Sequence, residues 1–168
     1  MTTESTPKKS MTMWYAVAAI IIIVVIVVGV VLYEQSLAPP SGNGGGTPIE
    51  MTLYAGEVSQ TQYGFGTSAS SLQSNPGPTL TFTQGQSYKM TVNNVGTMPH
   101  SWMIANGKTS GSTVLFSSEI NPGAFISAGQ SGSVTFTPNQ AGNFYYICPV
   151  PGHPELGMWG NVVVNASP

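Results

Sequence analysis

After residue 48 the chain carries no stretch with the apolar period of an amphipathic helix, and this limits its fold more than any other feature. In its place stand short segments that alternate or are rich in β-forming residues: Ile49–Tyr54, Thr79–Thr83, Ser87–Asn93, Ser101–Ala105, Val114–Ser117, Ser131–Thr137, Asn143–Cys148 and Gly160–Val164. Branched and aromatic side chains suit a pleated, half-buried surface, so these segments read as strands. Turn residues separate them at Asn75-Pro76-Gly77-Pro78, Asn106-Gly107, Asn121-Pro122-Gly123 and Pro138–Gly142. Many short strands between such turns predict a sandwich or barrel, and about 120 residues suffice for one core of that kind. Residues 58–77 are polar and rich in Gly and Ser, with Tyr63 and Phe65 interleaved, and read only as a long excursion.

The N-terminal part obeys different rules. Residues 14–33, from Trp14 to Tyr33, form an apolar run without a charge. About 20 such residues span a bilayer as a helix, the one conformation that satisfies a lone segment's backbone in lipid. Trp14 and Tyr33 mark its ends, and Lys8 and Lys9 precede it. The positive-inside rule then places residues 1–13 in the cytoplasm and the rest of the chain on the extracellular face. Ser36-Leu37-Ala38 also resembles a signal-peptidase site, which keeps a cleaved leader open as the competing reading. The apolar run exceeds the 7–15 residues of a usual leader core, which favours an uncleaved, single-pass anchor. Residues 34–48, ending in a Pro/Gly-rich stretch, read as a flexible linker, and 49–168 as the β domain.

Charge is scarce: four Lys, no Arg, six Glu and no Asp, or 6% of residues. Globular domains average about 25%. No basic patch for nucleic acid exists, and the polar surface must come from Ser, Thr, Asn and Gln. Such a surface gains little charge when carboxylates protonate, which suits an acidic medium; a merely extracellular surface fits as well.

The residues that carry chemistry are few. Cys148 is the only cysteine, so an intrachain disulfide is impossible, and His100 and His153 are the only histidines. Cys148-Pro149-Val150-Pro151-Gly152-His153-Pro154-Glu155-Leu156-Gly157-Met158 has the form Cys-x4-His-x4-Met, and it follows a predicted strand. His100 lies 48 residues upstream of the cysteine. Two imidazoles, a thiolate and a weak axial thioether form the donor set of a mononuclear blue copper centre. The soft thiolate suits Cu(I), imidazole tolerates both oxidation states, and the thioether favours Cu(I). Singly, each residue has an ordinary reading: surface histidine, buried thiol, core methionine. Structural zinc requires more thiolates or imidazoles than this chain has.

His100-Ser101 together with Cys-Pro-Val-Pro-Gly-His-x4-Met-Trp resembles the cupredoxins, and among them the sulfocyanin and rusticyanin group of acidophiles. Plastocyanins have a shorter Cys-to-His gap and azurins a shorter His-to-Met gap. The resemblance covers roughly residues 48–165 and implies an all-β Greek-key sandwich. It implies one type 1 copper, cycling between Cu(I) and Cu(II), held by His100, Cys148, His153 and Met158. It further implies single-electron transport in a respiratory chain, with membrane complexes such as a terminal oxidase as redox partners. Pro149 and Pro154 depart from the group's pattern and alter the loop backbone. The resemblance also implies a Ser101 N–H aimed at the thiolate and an electron port at the edge of His153. That port would sit in an apolar patch drawn from Met98, Pro99, Pro151, Pro154, Leu156 and Trp159.

Other copper functions fit less well. An oxidase subunit with a dinuclear copper needs a second cysteine. A copper reductase or laccase needs further histidines, and both are already used. Delivery proteins have open, Met/His-rich sites, whereas this motif is closed. Asn165-Ala166-Ser167 matches the N-glycosylation acceptor pattern, which short sequences often do by chance.

Overall fold

The alternation read in the sequence becomes two sheets that bury alternate residues against each other. The computed structural model describes residues 46–168; the expected anchor at 14–33 and most of the linker lie outside the described residues. Among the described residues no helix is long and apolar enough to cross a membrane. The strands are β1 (Ile49–Ser59), β2 (Gln62–Gly66), β3 (Gly77–Thr83), β4 (Tyr88–Asn94), β5 (Met103–Ala105), β6 (Ser131–Phe136), β7 (Gly142–Ile147) and β8 (Trp159–Asn165). One sheet has the order β2-β1-β4-β6 and the other β3-β8-β7-β5. In each, one pair is parallel, β1 with β4 and β3 with β8, and the rest are antiparallel. The domain is thus an all-β sandwich.

Strand β4 shows the rule most clearly. Tyr88, Met90, Val92 and Asn94 are buried while Lys89, Thr91 and Asn93 are not, the period of two expected of a strand with one covered face. Leu53, Phe82, Phe136, Trp102, Tyr146 and Val162 complete the core between the sheets. Tyr146 and Gly160 face each other across the antiparallel β7–β8 pair. The missing side chain at Gly160 leaves room for the Tyr146 ring, and a Cβ there would fall within that ring. The Tyr146 hydroxyl donates a 2.7 Å hydrogen bond to the Pro78 carbonyl, so this buried phenol is satisfied.

Two expectations change. Val114–Ser117 is not a strand; it touches β5 through a single Ala105–Val114 bridge. Phe116 and Ser117 have φ of 58° and 51°, left-handed values that no strand allows. The buried Ser118 hydroxyl stabilises the turn by accepting the Ile104 N–H at 2.8 Å and donating to the Leu115 carbonyl at 2.8 Å. The excursion at 58–77 is partly regular: β1 runs on to Ser59, and β2 pairs back on it with Glu57 opposite Tyr63. Its polar composition hid a hairpin whose Phe65 is fully buried.

Candidate metal centre

His100 is distant in sequence from Cys148 and His153 but meets them at one end of the sandwich. His100 precedes β5, and its backbone N–H and C=O pair with Ile126 at 3.1 and 2.7 Å. Asn94, buried at the end of β4, donates from its amide to the carbonyls of Met98 and Ile126, both at 2.8 Å. One amide therefore ties the 95–99 loop to the segment that pairs with His100. The Glu57 carboxylate grips the same loop, accepting from Thr97 N–H at 3.0 Å and Met98 N–H at 3.0 Å. Burial alone would raise the Glu57 pKa, but these backbone donors and its own N–H hold it below the usual range.

Cys148 directly follows β7, and Met158 stands just before β8. The Cys148 N–H donates to the Met158 carbonyl at 3.0 Å, and the Met158 N–H to the His153 carbonyl at 3.0 Å. The loop between them closes as a tight turn, with Leu156 N–H on the Gly152 carbonyl at 3.1 Å and Gly157 N–H on the Pro154 carbonyl at 3.0 Å. Gly152 and Gly157 have φ of 87° and 93°, where a side chain would be strained. Neighbours brace it from two sides. Tyr63 N–H reaches the Leu156 carbonyl at 3.2 Å, and Asn75 N–H the Gly157 carbonyl at 3.0 Å. Glu155 accepts from the Ser110 N–H at 2.9 Å and its hydroxyl at 2.8 Å, while Gly152 N–H donates to the Ser110 oxygen at 3.0 Å.

Between these braced segments, donor atoms of His100, Cys148 and His153 all lie within 4.8 Å of one another. The two Nδ1 atoms are 3.1 Å apart, and the Cys148 Sγ is 3.6 Å from His153 Nδ1. His100 and Cys148 are fully buried, as is Met158 at the loop's end. The Ser101 N–H points at the sulfur at 3.4 Å, as expected from the resemblance. Burial pushes the Cys148 thiol up to about 12, against the lowering effect of the Ser101 and Val150 N–H groups. Burial, and then the neighbouring His153, bring His100 down to about 4, opposed only by the Glu57 charge. His153 is lowered for the same first reason, again opposed by Glu57. Both imidazoles are therefore neutral near pH 7 and have lone pairs to offer, and the buried thiol would release its proton to solvent on binding a cation.

This donor set fits copper. Two imidazole nitrogens and one sulfur converge in a buried cluster, and no carboxylate stands in it among the described residues. His100 Nε2 is buried without a hydrogen-bond partner among the described residues.

The surroundings differ from the sequence expectation in one respect. His153 is only 6% exposed. Its ring is covered by Tyr63, stacked on it with centroids 4.1 Å apart and planes at 26°. Tyr63 also meets His100 edge-on at 5.5 Å. Tyr63 covers the face of the His153 ring, and little of the residue stays open to solvent. Of the patch residues, Met98, Pro99, Pro151 and Leu156 are exposed, but Pro154 is buried. Trp159 is half-buried, with the Lys108 Nζ 3.9 Å from its ring centroid. Tyr63 is the site residue that the sequence reading missed. The available signal was the aromatic at every second position of Gln62-Tyr63-Gly64-Phe65-Gly66, set inside a polar stretch.

Comparison with known proteins agrees with this geometry. The copper-resistant cuproprotein CopI of Rubrivivax gelatinosus is 31% identical over 97 residues, covering 52% of this chain and 57% of that one. Auracyanin-B of Chloroflexus aurantiacus is 48% identical over 42 residues, 25% of this chain and 18% of the other. The chain therefore spans about half the length of the first relative and less of the second. Among solved structures, auracyanin A, a "blue" copper protein of Chloroflexus aurantiacus, has a similar fold, with a TM-score of 0.51 at 23% identity, over 71% of this chain and 100% of that one. The copper nitrite reductase of Nitrosomonas europaea also shares it, with a TM-score of 0.54 at 21% identity, over 72% of this chain and 42% of that one. The His100–Cys148–His153 arrangement is consistent with one type 1 copper. Residues 57–165 match the family of copper binding proteins described as plastocyanin/azurin, and the chain belongs to that family.

Proposed function

We propose that this is a mononuclear blue copper protein that carries single electrons, with copper held by His100, Cys148 and His153 and, more weakly, by Met158. The observation that carries the reading is the convergence of two imidazole nitrogens and one thiol sulfur within 4.8 Å inside a braced, buried pocket. Bound copper supplies a centre that gains and loses one electron. The chain's own residues do the rest. Hydrogen bonds donated by the Asn94 amide and accepted by the Glu57 carboxylate on one side, and the closed 148–158 turn on the other, keep the ligand side chains in place. A site held this way changes little between oxidation states. The Ser101 N–H stabilises negative charge on the sulfur and so tunes the potential. A carrier is favoured over an oxidase or a reductase because both histidines of this sequence stand at one site.

The wider setting is also part of the proposal. Residues 14–33 anchor the chain in the cell membrane with residues 1–13 in the cytoplasm and the copper domain outside, and the Pro/Gly linker lets the domain reach its partners. Those partners are membrane respiratory complexes, with a terminal oxidase as the acceptor. The loop motif and the low charge support a place in the sulfocyanin and rusticyanin group.

The deciding experiment is an absorption spectrum of the oxidised, copper-loaded protein, followed by a reversible redox titration. Thiolate bound to Cu(II) in a trigonal site should give an intense visible band, and Cys148→Ser should be colourless. A colourless native protein with one bound copper would falsify the type 1 assignment.

A further inference from the structure

We propose that Tyr63 is a positioning residue of the copper centre, whose ring locks the His153 imidazole and covers one of its faces. The inference rests on the copper reading above and deepens it. Two observations carry it. The Tyr63 ring stacks on His153 at 4.1 Å and 26°, and its edge meets His100 at 5.5 Å, so one side chain touches both histidines. His153, on a surface loop between the exposed Pro151 and Leu156, is nevertheless only 6% exposed.

The hairpin that delivers Tyr63 is itself well placed to hold both donor segments. Glu57 and Tyr63 face each other across β1 and β2. Glu57 binds the 97–98 amides of the loop that leads to His100. Tyr63 binds the loop that carries His153, by its backbone N–H on the Leu156 carbonyl. The ring then adds what the backbone cannot. A face-on aromatic contact restricts rotation of the imidazole about its own bonds, because any tilt loses offset-stacked contact. A ligand ring fixed before the metal arrives has no orientational freedom left to lose on binding, and metal ligands held by such outer contacts bind more tightly. The same ring covers one face of His153 against water or a small anion. Tyr63 is neither oxidised nor reduced in this role. It only holds the geometry of the side chains that would bind copper, and the metal would supply the one-electron chemistry.

The test uses the full chain and three variants, Tyr63→Phe, Tyr63→Leu and Tyr63→Ala. Cu(II) affinity is measured by competition with a chelator, together with the visible spectrum with and without added azide. Unfolding midpoints of the metal-free proteins serve as the stability control. Tyr63→Phe keeps the stacked ring and should match the native protein in affinity, band position and indifference to azide. Tyr63→Leu keeps apolar bulk but not the stack, and should bind copper about ten- to a hundredfold more weakly with a shifted band. Tyr63→Ala should do the same and also respond to azide; if it does not fold, Tyr63→Leu carries the test. Native affinity and an unmoved band in Tyr63→Leu, or weakened binding in Tyr63→Phe, would overturn the inference while leaving the copper reading intact. A native protein that binds copper without the intense band overturns both.

Discussion

Acid should destabilise the metal-free protein through His100. The imidazole is fully buried, and burial together with the neighbouring His153 holds its pKa at about 4, against an ordinary 6.5. The depressed value means that the folded state favours the neutral ring. Between the two values the unfolded chain binds the proton and the folded chain does not, so stability falls as pH falls. The contribution is whole above about 6.5, begins to fade there, and is gone once pH passes the folded value. The shift corresponds to about 3 kcal/mol, an upper figure because water can enter the site as the proton does. With an unfolding slope of about 2 kcal/mol/M, that is a drop of about 1.5 M in the urea midpoint between pH 7 and pH 4. Glu57 and Glu155, both held below the usual carboxylate range, add their loss only at lower pH, through and below 4.5. The two windows are therefore separable. The assay is urea unfolding of the metal-free protein at closely spaced pH values, repeated for His100→Gln, which lacks the titrating ring. The native midpoint should slide between pH 6.5 and 4, and the variant's should slide less, by what His153 alone contributes. A flat native profile, or an equal slide in His100→Gln, would refute the reasoning. Copper-loaded protein should resist the slide, because a metal-bound ring has no lone pair for the proton.

Two further substitutions probe the loop and the strand that follows it. Replacing the axial donor should leave copper bound but move the reduction potential, upward in Met158→Leu and downward in Met158→Gln, as measured by redox titration; loss of all copper in Met158→Leu, or an unmoved potential in both, would remove Met158 from the site. Gly160→Ala places a Cβ within the Tyr146 ring and threatens its hydrogen bond to Pro78, so stability should fall by about 3 kcal/mol and the melting temperature by about 10 °C. A melting temperature within a degree or two of native would show that the ring can shift at no cost.

Much of the domain was legible because strands and ligands leave local marks. The two-residue period of Tyr88–Asn94 and the Cys-x4-His-x4-Met spacing are each written within a dozen residues, and the scarcity of His and Cys left few ways to combine them. The Ser101 N–H bond to the sulfur followed from the resemblance and is present. Other features depend on contacts between distant segments, which no local pattern records. Val114–Ser117 has strand-forming residues, yet the bond from Ser118 to Ile104 and Leu115 bends it into a left-handed turn. The polar stretch 58–77 looks like loop by composition, yet pairing with β1 turns Gln62–Gly66 into a strand and carries Tyr63 onto His153, 90 residues away. The sequence by itself determined the class of fold and the chemistry of the donor set, because side-chain period and ligand type are properties of short segments. Only the tertiary structure decided how open the site is, because the exposure of His153 depends on a ring from another sheet strand and not on the loop that holds it.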